Sequence, residues 1–315
     1  MKQIYIITKL FNVHDRLSSL YLSDKIDEWI KSGKLQEFKK CFLPYRDSNE
    51  KVKGKENQTF EIFKMDCATM RESALIIGYF DGPNYDSGIG FEIGYAYVLN
   101  KPIILLSSDY FEIALSSDTN MRHSISALTT SIANIIHIKD SNNHNDNYGK
   151  NLLSFREELN KQLLMLLESE QYEKTNTKDN NNVCREATFD ILIDYNFTKT
   201  ESSRLVLKQI ISRLCSQGIT YYIATDDDYE CATRIFYKLQ CTKNILIYGD
   251  SCFDLGVDSA IIQGMAFALS KKVILFSSEN ICLYQSDKFI LYKNPMIEHS
   301  AKTVCSIADL MEELI

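Results

Sequence analysis

The sequence predicts an α/β fold built as two tandem, doubly wound, mostly parallel five-stranded sheets packed as a pseudo-dimer. Three observations carry that prediction. Short apolar runs, such as Ala74–Phe80 and Ile103–Leu106, alternate with longer stretches of helical apolar rhythm, the pattern of parallel strands covered by crossover helices. Between those two runs lie Asp86, Gly88 and Gly90 in a loop, then a short helical stretch from Phe91 to about Leu99 that Lys101-Pro102 stops. The second half of the chain then repeats this order of elements.

Taken along the chain, Gln3–Ile7 reads as the first strand. Ser18–Lys31 has a helical rhythm in Leu20, Leu22, Ile26, Trp29 and Ile30, and Phe38–Leu43 is an extended stretch closed by Pro44. The polar segment Asp47–Gln58 is expected to be a mobile loop, placed as a lid over a crevice. Phe60–Met70 forms a helix leading into the Ala74 strand. A helix rich in Ser and Thr follows Asp109, then a strand at Asn134–Ile138, a loop at Asp140–Asn147 and an amphipathic helix at Leu152–Leu167. Thr175–Asn182 has the strongest linker composition. The expected division is a first domain at 1–172, a linker at 173–186 and a second domain at 187–315.

The second half reads as a worn copy of the first. Phe189–Asp194 opens it, Asn244–Asp250 parallels the Ala74 strand, and Asp258–Ser278 parallels Asp86–Ser108. On that alignment the position of Glu92 falls on Gly264, with Gln263 beside it, and that of Asp66 falls near Phe236. Only Asp258 survives, so the second copy is expected to be catalytically dead.

Bulk properties narrow the classes of function. The 315 residues suffice for two ordinary domains, and the chain is 45% hydrophobic and 24% charged. A net charge of −7 argues against a general nucleic-acid or anionic-membrane surface. No apolar run is long enough to span a bilayer, and Met1-Lys2-Gln3 leads into a strand pattern without a signal peptide. The nine cysteines include no C-x-x-C pair, so they read as reduced thiols of a cytoplasmic protein. The five histidines do not share ligand spacing with them, so no metal site is expected.

The chemistry concentrates around Asp86 and Glu92. Open parallel sheets bind ligands beyond the carboxyl ends of their strands, which is where this loop lies. Its glycines would let substrate approach the backbone closely. A carboxylate in the first turn of the following helix would feel the positive end of the helix dipole and stay ionised, which suits a nucleophile. A plain helix-terminus charge partner is the alternative for Glu92, and an N-cap acceptor is the alternative for Asp86.

The stretch Asp86-Ser87-Gly88-Ile89-Gly90-Phe91-Glu92-Ile93-Gly94-Tyr95-Ala96 resembles the nucleoside 2-deoxyribosyltransferase family, whose signature is D-x-G-x-x-x-E-[IL]-G-[YR]-A. The fold implied is Rossmann/flavodoxin-like. The resemblance makes Glu92 the nucleophile that attacks the anomeric carbon of a sugar and Asp66, on the helix before the strand, the general acid/base. It places Asp86 on the sugar-hydroxyl side, and a carboxylate there would repel a 5′-phosphate, which favours an unphosphorylated nucleoside. Tyr5 matches a position lining the base pocket, or is simply a buried strand tyrosine. Gly88 and Gly90 would complete the substrate loop. The sequence departs from the family at Ile7-Thr8-Lys9, where Ala-Gly-Pro is usual, and this puts base preference in question.

In that family a neighbouring subunit completes each site. The supplying segment stands in the second half as Asn294-Pro295-Met296-Ile297, while the first half offers only Asn120-Met121 or Asn134. The expectation is one working site per chain, made by Glu92, Asp66 and Asp86 and closed by Asn294. The implied function is N-glycosidic cleavage of a (deoxy)nucleoside with transfer of the sugar to another nucleobase, with no cofactor. A nucleoside or nucleoside 5′-monophosphate hydrolase on the same residues is the first alternative, and a non-catalytic sensor of a nucleotide-derived ligand is the second. The implied partners are a nucleoside and a nucleobase, without nucleic acid or membrane. A homo-oligomer beyond the intrachain pseudo-dimer is left open.

Overall fold

The computed structural model describes residues 1–9, 13–48, 58–80, 86–107, 112–113, 122–123, 125–137, 148–169, 172, 188–195, 201–249, 255–277, 284–285, 290–291 and 294–314. The expected lid is largely outside them, as are Asp81, Asn120-Met121 and the expected linker.

The first half runs β1 (Ile4–Ile7), α1 (Val13–Lys31), α2 (Pro44–Asp47), α3 (Gln58–Glu72), β2 (Leu75–Tyr79), α4 (Ser87–Val98) and β3 (Ile103–Ser107). A short hairpin, β4 (Glu112–Ile113) and β5 (Arg122–His123), precedes α5 (Ala127–Ile132), β6 (Asn134–His137) and α6 (Tyr148–Glu168). The second half runs β7 (Phe189–Asp194), α7 (Glu201–Ser216), β8 (Tyr221–Ile223), α8 (Asp226–Tyr229), α9 (Ala232–Gln240), β9 (Thr242–Tyr248), α10 (Val257–Ala268) and β10 (Lys272–Phe276). A second hairpin, β11 (Tyr284–Gln285) and β12 (Ile290–Leu291), leads to α11 (Pro295–Ser300), β13 (Lys302–Val304) and α12 (Ile307–Leu314). No helix among the described residues is long and apolar enough to cross a membrane.

The two main sheets are wholly parallel, in the orders β1-β2-β3-β6 and β8-β7-β9-β10-β13. The second has the expected five strands; the first has four. Its fifth place is taken by Phe38–Phe42, which joins β1 through two isolated parallel bridges, Lys2 to Phe38 and Tyr5 to Phe42. The Ile6 amide donates to the Phe42 carbonyl at 2.9 Å across that edge, and the Phe42 amide to the Ile4 carbonyl at 2.8 Å. The segment thus does a strand's work without a strand's length.

Alternation along the strands divides the molecule into layers. Ile4, Ile6, Leu75, Ile77, Ile104 and Leu106 face α1 and α6 on the outside of the first sheet. Ile191, Ile193, Leu246 and Ile274 do the same against α7 and α12 in the second. The inward faces of both sheets share a single core with α3, α4, α9 and α10 between them.

The centre of that core is the α4–α10 contact, and glycines make it. A Cβ on Gly94 would strike the Ile261 carbonyl, and one on Gly264 would strike the Phe91 carbonyl. Gly90 meets the Val257 carbonyl at 2.7 Å from where its Cβ would stand. The helices touch backbone to backbone, which no residue with a side chain would permit here.

Helix ends correct the alignment of the two halves. Asn100 and Ser270 both adopt φ 56°, each directly after a helix C-cap, Leu99 and Leu269. Equating them sets Gly94 against Gly264 and Glu92 against Ile262. Asp258 then corresponds to Gly88, and Asp86 to the N-cap Gly256. The matching of Glu92 to Gly264 and of Asp86 to Asp258 is therefore wrong by two residues, although the loss of the carboxylate stands. The expectation of reduced cysteines also needs correction: Cys41, Cys67, Cys215, Cys231 and Cys305 are free thiols, but Cys241 is disulfide-bonded.

Candidate active site between the halves

The site residues lie where β1, α3 and α4 meet on the inward face of the first sheet. β1 is buried along its whole length and places Tyr5 in the sheet opposite Ile76. The Tyr5 ring stacks on Phe42 at 5.5 Å, so the pseudo-strand at the edge fixes its orientation. Its hydroxyl donates to Glu92 Oε1 at 2.8 Å. Burial pushes the phenol well above its ordinary pKa, and the charges of Asp66 and then Glu92 add to that. Tyr5 is thus a neutral, permanent donor to one oxygen of Glu92.

Glu92 itself is almost fully buried. α4 begins at Ser87, not Phe91, so Glu92 stands in its second turn, and its first turn has no acidic residue. The helix-dipole reason for an ionised Glu92 therefore weakens, since that field fades beyond the first turn. The hydrogen bond from Tyr5 takes its place as the group favouring the carboxylate.

Asp66 comes from α3, 1% exposed, and is close enough for its charge to raise the Tyr5 pKa. Cys67 follows it, and burial with the charges of Glu92 and Asp66 pushes that thiol up. Two buried carboxylates, a phenol and a thiol thus lie together.

Asp86 is the N-cap of α4, and its Oδ1 accepts from the Gly88 amide at 2.7 Å. The same oxygen accepts from Asn294 Nδ2, also at 2.7 Å. Asn294 is in turn the N-cap of α11, its Oδ1 accepting from the Met296 amide at 2.9 Å. The two caps thus join head to head across the halves. Gly88 is required by that joint, since a Cβ there would come within 2.6 Å of Asn294 Nδ2.

Not every expected residue joins this group. Gly88 and Gly90 face Asn294 and α10, so the space reserved for substrate is filled by the other half of the chain. Asn134 opens β6 opposite Ile104, at the end of the sheet away from the loop that carries Asp86. Thr8 hydrogen-bonds Ser19 and so ties the end of β1 to α1.

The first-half counterpart of Asn294 is Ser126, which sequence reading missed. Ser126 caps α5, accepting from the Thr129 amide at 3.1 Å, and donates to Asp258 Oδ1 at 2.6 Å. The available signal was spacing: Ser126 precedes the strand at Asn134 by the same interval as Asn294 precedes that at Lys302. In the second half the register of the sheets puts Leu192 at the place of Tyr5 and Ile235 beside that of Asp66. Both, like Ile262, are fully buried apolar side chains. Tyr229 of α8 packs among them and donates to Asp194.

The family model described as nucleoside 2-deoxyribosyltransferase matches residues 20–153. Among solved structures, a conserved protein from Enterococcus faecalis V583 is similar at 18% identity and TM-score 0.40, over 54% of this chain and 99% of its own. A 2-deoxyribosyltransferase from Bacillus psychrosaccharolyticus is similar at 20% identity and TM-score 0.31, over 47% of this chain and 94% of its own. No curated protein matches the chain.

Proposed function

We propose, from the match of residues 20–153 to the nucleoside 2-deoxyribosyltransferase family model, that the chain cleaves a nucleoside's N-glycosidic bond and hands the sugar to another nucleobase. The observation that carries this reading is the hydrogen bond from Tyr5 to Glu92 beside buried Asp66. The Glu92 carboxylate, held at Oε1 by the phenol, is the nucleophile. It attacks the anomeric carbon as the bond to the base nitrogen breaks, and the bonding pair leaves with the base. Protonated Asp66 delivers a proton to that nitrogen. The sugar is then an ester of Glu92. An incoming base attacks the same carbon, loses its proton to Asp66, and releases the carboxylate.

Asp86 takes the sugar-hydroxyl side, with Asn294 holding its Oδ1. Its charge disfavours a 5′-phosphate, because two anions a few Å apart in a closed crevice repel by several kcal/mol, to order of magnitude. The test is incubation with a 2′-deoxynucleoside, with and without a second free base, followed by product separation. The expected result is a new nucleoside only when the second base is present, and little turnover of the 5′-monophosphate. Free sugar at equal rate in both reactions would replace transferase by hydrolase. No product from any nucleoside would overturn the reading.

A further inference from the structure

The second half contributes more than Asn294 to the first. α11 begins with Asn294 against Asp86 and, five residues on, places His299 against α3. The His299 Nε2 lies 2.9 Å from Thr59 Oγ1 in the first turn of α3. Its ring stands edge-on to Phe60 at 5.3 Å and tilted to Phe63 at 5.8 Å. Phe63 lies one helical turn before Asp66 and packs on Phe91 at 6.0 Å, the residue directly before Glu92. One imidazole therefore sits at the joint between the two helices that carry the carboxylates.

The mirror contact shows what the simpler arrangement looks like. There α5 of the first half touches the start of α9, and Ser131 accepts from the Ala232 amide at 2.8 Å. A small hydroxyl is enough where the helices carry Ile235 and Ile262. On the side with Asp66 and Glu92 the same strap carries a large ring packed into an aromatic row.

We propose that His299 is a positioning residue of the first-half site, fixing α3 against α4 so that Asp66 and Glu92 address the same substrate. It touches neither carboxylate and acts through Thr59 and Phe63. The proposal rests on the reading of Asp66 and Glu92 as the acting pair, so its test has one arm that needs no activity. Burial lowers the pKa of His299 and keeps the ring neutral, and a neutral amide is therefore its fair substitute for the Thr59 bond.

In the full chain, His299→Ala should lower kcat about tenfold, with KM for the nucleoside changed less than about twofold, as for a small misplacement of reacting groups. His299→Gln, which keeps a donor and an acceptor, should recover a large part of kcat. Thr59→Val should lower kcat in the wild type but add little to His299→Ala, since both remove one contact. Amide hydrogen exchange is the second arm. His299→Ala should speed exchange across 58–72 and leave 232–240 unchanged, whether or not any substrate is turned over. Unchanged exchange in 58–72 overturns the proposal by itself. In an active protein, so does unchanged kcat, or a loss that falls entirely on KM. A wild type without base release, but with the exchange effect present, condemns the proposed reaction and leaves the positioning role standing.

Discussion

The two halves share one fold and differ in what their inward faces hold. Around α4 the first half has Tyr5, Asp66, Asp86 and Glu92; the matching places around α10 are Leu192, Ile235, Gly256 and Ile262. Leu192, Ile235 and Ile262 are as buried as Tyr5, Asp66 and Glu92, so the difference at these places is not one of accessibility. A buried carboxylate costs several kcal/mol, to order of magnitude, unless partnered, while isoleucine in the same place contributes to the core. The second half has exchanged costly groups for stabilising ones, keeping the strap that serves the first. On the proposed function, what was kept and what was lost separate the parts needed for chemistry from those needed for assembly.

The largest break in that comparison should come from Glu92→Gln. Base release should fall by about a thousandfold or more, as expected for loss of a covalent nucleophile, with the melting temperature unchanged or raised. Residual activity near wild type would move the nucleophile elsewhere. Next, Gly264→Val drives a side chain into the Phe91 carbonyl. It should cost on the order of 4 kcal/mol or more of stability, measured by urea unfolding, although Gly264 lies in the half that has no counterpart of Glu92 or Asp66.

Smaller effects sharpen the contrast. Asn294→Ala removes a donor from Asp86 and should raise KM roughly tenfold, the equivalent of about 1–2 kcal/mol, with little effect on kcat. Ser126→Ala, its mirror, should leave both parameters alone, and an equal KM effect would mean that the second cleft takes part in turnover. Tyr5→Phe should reduce kcat by roughly tenfold through loss of one charge-assisted hydrogen bond. The smallest expected change is a pH effect at Asp258, whose pKa burial raises to about 6, with the charge of Asp194 adding to it and Ser126 opposing it. A carboxyl with a raised folded-state pKa stabilises most when protonated. That contribution is therefore lost as pH climbs from about 4 through 6. Asp258→Asn should flatten the fall in melting temperature across this window while leaving the pH profile of kcat untouched.

Much of the architecture is legible in the sequence. The strands are apolar runs long enough to identify, and the doubling shows in Asn244–Tyr248 and Lys272–Phe276. The register between copies was less legible, because Asp258-Ser259 happens to copy Asp86-Ser87 two residues out of step. The true register shows at the other end of the helix, where Leu99-Asn100-Lys101 stands against Leu269-Ser270-Lys271 and the middle residue of each is left-handed. The glycines show a second limit. A missing Cβ is needed equally for substrate approach and for helix approach, and only the fold shows α10 and Asn294 lying over Gly88 and Gly90. The Tyr5–Glu92 bond joins residues 87 positions apart, a separation that no local pattern encodes.

The contact between α4 and α10 also sets an order of events during synthesis. The whole of α4 leaves the ribosome long before Ile261 and Gly264 exist to cover it. At roughly 5–20 residues per second, the intervening chain takes on the order of ten to thirty seconds to make. For that interval a newborn chain carries the glycine-paved face of α4 without the α10 that covers it. A polysome bearing many copies is therefore where mispairing between molecules competes with pairing within one. Translation speed over residues 100–260 becomes a variable in the yield of correctly closed protein.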